Sequence, residues 1–360
     1  MSKTPPKKRA TVAKKRGGPS IRVIAERLNI SKSTVALAVS SSKEDCPLAP
    51  ATRERILKAC DEMGYRVNSI ARTMRTGRFN TVAMILGKNS PYFLPAEQVY
   101  GADDALESQG YRLNLTWLDK QHLSAPGNVP KVLEEWSCDG LLIHYPGSLP
   151  SKMFNLIERH QIPTVWMNSK LPCDCVHPND FQAAHDATER LIALGHKRIG
   201  YLHLYQFDHY SEVDRFKGYE RAMKKAKLSP LRVRVPSSEP ITEIKLDKRH
   251  ELMRQILQRN NRPTAFICYE TAEVAAPLLV AALSMGLRVP EDFSLIAFGR
   301  YNRNSTGITI STIQLNLEEV GRRSVEMLLK KIENPAKQFP PVALSLKVDN
   351  EATLAPPPKG

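Results

Sequence analysis

The 360-residue chain is 42% hydrophobic and carries a net charge of +15, with 52 Lys and Arg against 37 Asp and Glu. Such a length supports two or three domains with substantial cores, and no apolar run reaches the roughly 18 residues of a membrane span. The first residues, MSKTPPKKRATVAKKRGGPS, lack the apolar segment of a secretory signal and read as a disordered basic arm over residues 1–19, so a cytoplasmic protein without a membrane partner is expected.

The charge is unevenly placed. Residues 1–79 hold 18 Lys and Arg against 6 Asp and Glu, which is twelve of the fifteen excess positive charges. A basic first fifth on a nearly neutral body points to a module for nucleic acid or for an anionic membrane. Of six cysteines only Cys173 and Cys175 are close, as C-D-C, and no histidine spacing accompanies them. That is a poor zinc signal, so no metal and no other cofactor is expected.

From Ser20 the chain reads SIRVIAERLNISKSTVALAV. Ser20 is a candidate N-cap, and Ile21, Ile24, Ala25 and Leu28 share one helical face. Asn29 and Ile30 break that pattern, Ser31 can cap a second helix, and Val35, Ala38 and Val39 form the apolar face of that helix. Two short helices joined by so short a turn make a helix-turn-helix, whose second helix can enter a DNA major groove. A third helix is predicted over Pro50–Met63, with Ile56, Leu57, Cys60 and Met63 as its buried stripe and Gly64 as its stop. Next comes NSIARTMRTG, in which Asn68 can cap and Gly77 can terminate a helix of about two turns. Nucleation makes so short a helix marginal in water, so it should order only on a partner surface.

From Asn80 onward apolar runs alternate with helical patterns. TVAMIL, YRLNLTWL, CDGLLI and PTVWM read as strands, with AEQVYGADDALESQG and SKMFNLIERHQ as helices between them. DATERLIALG, KRIGYLHL, RFKGYERAMKKAK, TAFICY, EVAAPLLVAALSMG and FSLIAF repeat the scheme. Alternation of this kind argues for parallel sheets covered by helices, in two lobes with a ligand crevice at the strand ends.

IAERLNISKSTVALAV, TRERILKACDEMGYRVNSIARTMRTGRFNTVAMI, ATERLIALGHKRIGYL, DRFKGYERAM, GLRVPEDFSLIAF and STIQLNLEEVGRRSVEMLL together resemble the lactose-repressor (LacI/GalR) family of bacterial transcription regulators over about residues 20–355. The resemblance implies an N-terminal all-α, lambda-repressor-like helix-turn-helix domain followed by a two-lobed, periplasmic-binding-protein-like α/β core with parallel sheets. The implied boundaries are 20–67 for the helix-turn-helix and 68–79 for the hinge helix and linker. The core takes residues 80–355. Lobe 1 is expected at about 80–178 and 311–339, and lobe 2 at about 179–310 and 340–355.

The resemblance also assigns residues. DNA contacts would come from Ser31, Lys32, Ser33, Thr34 and Leu37 on and before the second helix, and from Asn68, Ser69, Arg72, Met74 and Arg75 in the hinge. Met74 would be the apolar wedge that unstacks a minor-groove step. Leu37 departs from the arginine common at its place and could meet only a thymine methyl. The loop from Ser40 to Ala51 is about three residues longer than usual, and Val67 stands where proline is usual. In the crevice, Tyr92, Phe93, Asn168 and Arg215 match effector-binding positions. The family's Asn-Asp pair falls on Thr271 and Ala272, and its later Phe-Asp-Asp on Phe298-Gly299-Arg300, with Glu270 as a partial substitute. These losses argue against an intact small-sugar pocket and leave open an anionic or aromatic-stacked effector.

The function these features imply is a repressor-type regulator that binds a pseudopalindromic operator as a homodimer under control of a sugar-like or anionic small molecule. A regulator whose core does not sense anything is one alternative. A periplasmic-type solute-binding protein is another, but it would need a signal peptide and no helix-turn-helix. No G-x-G-x-x-G after a strand, phosphate loop or G-x-S-x-G elbow is present, so the chain is not expected to be an enzyme.

Overall fold

A computed structural model describes residues 18–40, 46–67, 69–87, 95–118, 131–135, 137–145, 151–203, 209–233, 246–299 and 307–359. The chain divides between Phe79 and Asn80 into two compact units.

The first unit holds α1 (Ile21–Leu28), α2 (Lys32–Ser40), α3 (Pro50–Glu62) and α4 (Ser69–Thr76). Ile24, Ala25, Val35, Ala38, Ile56 and Cys60 form one small core shared by α1, α2 and α3. Ala59 is buried where Leu57 is only half-buried. Positions 56, 59, 60 and 63 make the i, i+3, i+4, i+7 stripe, and 57 lies a further 100° around the helix. Asn29 closes α1 in the left-handed region at φ 53°, and Gly64 does the same after α3 at φ 65°. Ser31 caps α2 as expected, its hydroxyl accepting the Thr34 N–H at 3.0 Å. Ser20 does not cap α1 through its side chain. Its carbonyl instead accepts the Val23 N–H at 2.9 Å.

α4 is a formed eight-residue helix, where the sequence predicted order only on a partner surface. Gly77, at φ 70°, closes it by donating to the Thr73 carbonyl at 2.7 Å. The Thr76 hydroxyl donates to the Arg72 carbonyl at 3.0 Å, satisfying one more of its terminal acceptors.

In the second unit, β1 (Thr81–Gly87), β2 (Arg112–Leu118), β3 (Gly140–His144), β4 (Thr164–Met167), β5 (Cys175–Pro178) and β11 (Val342–Leu344) form an all-parallel sheet in the order β11-β5-β4-β3-β1-β2. It is covered by α5 (Ala96–Ser108), α6 (Lys131–Glu134), α7 (Ser151–Arg159) and α12 (Leu317–Glu333). Because helices lie on both faces, β1 is an unbroken buried run rather than an alternating one. α5 and α12 approach so closely that a Cβ on Gly101 would overlap the Glu318 carbonyl, and one on Gly321 the Gln98 carbonyl.

The second sheet runs β12-β10-β9-β8-β6-β7, from β6 (Ile199–Leu202), β7 (Leu231–Val233), β8 (Ala265–Cys268), β9 (Ser294–Gly299), β10 (Ser311–Gln314) and β12 (Lys347–Val348), with β12 alone antiparallel. α8 (Asp180–Ala193), α9 (Tyr210–Lys225), α10 (Leu246–Leu257) and α11 (Ala276–Ser284) accompany it. A π-helical turn, Thr271–Ala275, precedes α11 where an α-helix was predicted.

The first lobe boundary, at 178/179, is as expected, and the two later ones differ. β10 pairs with β9 and so belongs to lobe 2, whereas β11 pairs with β5 and belongs to lobe 1. The chain therefore crosses first between Pro178 and Asp180, then between Gln314 and Leu317, and again between Leu344 and Lys347. Leu315 packs against the cores of both lobes, which marks the crossing point. No described helix is long and apolar enough to cross a membrane.

Candidate DNA interface and effector crevice

α2 presents its first turn to solvent. Ser31, Lys32 and Ser33 are exposed, while Thr34 and Leu37 are half-buried. The Ser31 hydroxyl lies 2.7 Å from Ser33 Oγ and 2.8 Å from Thr34 Oγ1, so its first role is to organise the helix N-terminus. No acidic residue occupies that turn, and the unpaired N–H groups there favour an anion. Ser33 and Leu37, four residues apart, share a face away from buried Val35 and Ala38.

On α4, Met74 is 85% exposed, the highest exposure among the large apolar side chains described. Leaving such a side chain in water forgoes about 1.5–3 kcal/mol of burial. Arg72 keeps a buried Nε donor without a hydrogen-bond partner among the described residues. Asn68 and the side chains of Ser69 and Arg75 lie outside the described residues.

The described residues expected in the crevice lie near strand C-terminal ends or on the adjoining helix, Asn168 after β4, Glu270 and Thr271 beyond β8, and Arg215 on α9. Asn168 follows β4 at φ 51°. Its Oδ1 accepts from the Tyr210 hydroxyl at 3.3 Å, and its carbonyl is 2.9 Å from His209 Nε2. Arg215 is buried on α9. Its Nε donates to Asp180 Oδ1 at 2.6 Å and its Nη1 to the Tyr269 carbonyl at 2.6 Å. The guanidinium carbon stands 4.6 Å from the Tyr269 ring centroid and 4.0 Å from that of Phe298. Burial alone would lower its pKa, but Asp180 and the neighbouring tyrosines raise it above the ordinary value. Burial, followed by the Asp180 carboxylate, keeps the Tyr210 phenol well above its usual range. Arg215 is thus a charge compensated by a buried carboxylate.

The residues aligned with the family's acids are occupied structurally. The Thr271 hydroxyl donates to the Phe298 carbonyl at 2.9 Å, and a Cβ on Gly299 would overlap it. Glu270 caps the π-helical turn, accepting the Glu273 N–H at 2.5 Å. Tyr92, Phe93 and Arg300 lie outside the described residues. Asp180, His209, Tyr210, Tyr269 and His203 also line this region, and the sequence offered no motif for them beyond their places at strand and helix ends.

His203 is buried, with Nδ1 3.5 Å from Glu212 Oε1 and its ring 4.3 Å from that of Tyr269. Burial first, then the charges of Arg232 and Arg215, push its pKa down to about 3. Folded His203 stays neutral while the unfolded chain titrates near its ordinary value, so stability present above about pH 6.5 is lost as pH falls. Between pH 6.5 and 5 this should cost on the order of 1–2 kcal/mol, read by urea unfolding. His203→Gln should flatten that slope, and an unaltered slope would contradict the assignment.

Neither metal signal survives inspection. In C-D-C, Asp174 pairs with Lys331 at 2.7 Å, and Cys175 is buried against Leu171. His185, Asp186 and Glu189 bring ligand atoms within 4.8 Å of one another, but Lys225 Nζ sits 2.7 Å from Glu189 Oε1 and opposes a cation there.

Comparison with known proteins accounts for this layout. Residues 188–350 match the periplasmic binding protein-like domain family. The arabinose metabolism transcriptional repressor of Geobacillus stearothermophilus is 32% identical over 263 residues, which is 70% of each chain. The HTH-type transcriptional repressor PurR of Haemophilus influenzae is 27% identical over 321 residues, 87% of this chain and 91% of the relative. Among solved structures, the lac repressor dimer bound to operator and the anti-inducer ONPF matches with a TM-score of 0.75 at 19% identity, covering 94% of this chain and 99% of that one. A helix-turn-helix, a two-turn basic helix after it and a two-lobed core of this connectivity, with these relatives, place the chain in the LacI/GalR family of DNA-binding transcriptional regulators.

Proposed function

We propose that this protein is a transcriptional repressor that binds a pseudopalindromic operator as a homodimer on the nucleoid, its affinity adjusted by a small, sugar-like effector in the crevice. The single observation that carries the DNA reading is Met74, an apolar side chain 85% exposed on a two-turn basic helix. Inserted between base steps it would gain the burial it lacks, and kinking the duplex would bring more protein surface onto DNA. Lys32 and Ser33 are exposed at the start of α2, where they could read base edges, with Lys32 able to donate to guanine O6 or N7. Support for a second copy comes from lobe 1, where Tyr100 on α5 and Leu115 and Trp117 on the edge strand β2 are 72%, 42% and 44% exposed. Two chains per operator duplex in native mass spectrometry would agree with this reading, and one chain per duplex would contradict it.

A second reading, a regulator whose core only dimerises, is favoured by the internal compensation of Arg215 and by the structural use of Thr271 and Glu270. Melting temperatures measured across sugars, sugar acids and nucleobases separate the two. A ligand at a hundredfold its Kd should stabilise the core by about 2.7 kcal/mol. A flat panel would favour the second reading.

A further inference from the structure

We propose that the two lobes are clasped by their own side chains beside the first crossover, and that this clasp sets how far the crevice opens. The loop after β4 and the end of β5 belong to lobe 1 and the first turns of α9 to lobe 2, yet Asn168, Lys170, His177 and Pro178 of the one meet His209, Tyr210 and Asp214 of the other. Lys170 Nζ pairs with Asp214 Oδ2 at 2.6 Å. The Tyr210 hydroxyl lies 3.3 Å from Asn168 Oδ1 and 3.4 Å from the Pro178 carbonyl, both in lobe 1. His209 Nδ1 is 3.4 Å from the Ser211 N–H it caps, which leaves its hydrogen on Nε2, aimed at the Asn168 carbonyl 2.9 Å away. The His177 ring, at the end of β5, meets the Tyr210 ring edge-on at 5.3 Å between centroids.

The clasp is built to open. The Lys170 and Asp214 side chains are 47% and 15% exposed, so water and salt reach the pair. The remaining links are neutral hydrogen bonds, each individually modest. Because each link is weak, a ligand that engages one state better can shift the balance between clasped and open arrangements. An effector would act by competing for Asn168 and Tyr210, and that extension alone rests on the effector reading above.

The test uses the full chain carrying a fluorophore pair, introduced through unnatural amino acids at exposed Gln109 in lobe 1 and Lys224 in lobe 2. Single-molecule energy transfer then reports the lobe-to-lobe distance. The double variant Tyr210→Phe, Asp214→Asn removes the hydroxyl and the ion pair with little change of shape. It should raise the open population roughly tenfold, the range expected from losing two such links. Lys170→Asp alone should open the core part-way, and the exchange Lys170→Asp with Asp214→Lys should restore the closed distance. Raising salt from about 0.05 to about 0.5 M should move the wild type in the open direction. Unchanged distances in the double variant, with an unchanged circular dichroism spectrum, would overturn the clasp, as would failure of the exchange to restore closure. Should the double variant not fold, Lys170→Ala, at an exposed position, makes the same test. Opening without any change in affinity for a selected operator keeps the clasp and overturns the coupling between crevice and DNA.

Discussion

Met74→Ala weakens binding to the cognate operator by roughly 30-fold, about 2 kcal/mol, while binding to unrelated duplex changes little. The asymmetry follows from where the side chain acts. Nonspecific affinity comes from phosphate contacts by lysines and arginines. A wedge contributes only where the duplex is kinked around it. Because Met74 is 85% exposed, its truncation should leave the melting temperature of the free protein unchanged. Fluorescence anisotropy on both duplexes, with a thermal melt of the free variant, makes the test. Equal losses on operator and random DNA would show that Met74 is not a wedge.

The second large effect is expected in the core. Asp180→Ala leaves the Arg215 guanidinium buried among Tyr269, Phe298 and Asp180's vacated space with its charge uncompensated. Removing one partner of such a pair costs about 3–5 kcal/mol, which for a domain this size lowers the melting temperature by roughly 6–20 °C. Replacing both partners by apolar residues of similar size, Asp180→Leu with Arg215→Met, should recover much of that loss, since the desolvation cost of both charges disappears together. A loss in Asp180→Ala below about 1 kcal/mol would mean that water reaches the pair, and that Arg215 is open to a ligand after all.

Much of the architecture was legible because it is written in local patterns. The stops at Gly64 and Gly77 follow from glycine's access to positive φ, and both residues adopt it. β1, β3 and β9 stand out as continuous apolar runs because helices cover both faces of their sheets. β5, β7 and β12 were not legible. Cys175–Pro178, Leu231–Val233 and Lys347–Val348 are too short for a period to emerge, and β7 and β12 lie at sheet edges. The first lobe crossing, after Pro178, was placed correctly, but the two later ones were placed several residues off, because Leu315 is apolar for both cores and no sequence feature separates them.

The candidate sites divide in the same way. The cap at Ser31 could be read from the residues themselves, whereas Ser33 and Met74 were singled out by the family resemblance, and both side chains are exposed. The role of Arg215 could not, since it depends on Asp180, 35 positions away, and on aromatic rings from two further strand ends. Glu270 and Thr271 looked like ligand groups in the sequence. In the structure the Glu270 carboxylate accepts the Glu273 N–H of the π-helical turn, and the Thr271 hydroxyl donates to the Phe298 carbonyl of β9.

Selection of fragmented genomic DNA by the purified 360-residue chain, without ligand, followed by sequencing, tests operator binding most directly. The expected result is enrichment of one shared pseudopalindrome, with half-sites spaced for a two-fold dimer and a flexible pyrimidine–purine step at its centre for Met74. Recovery of bulk DNA with no shared sequence would contradict it.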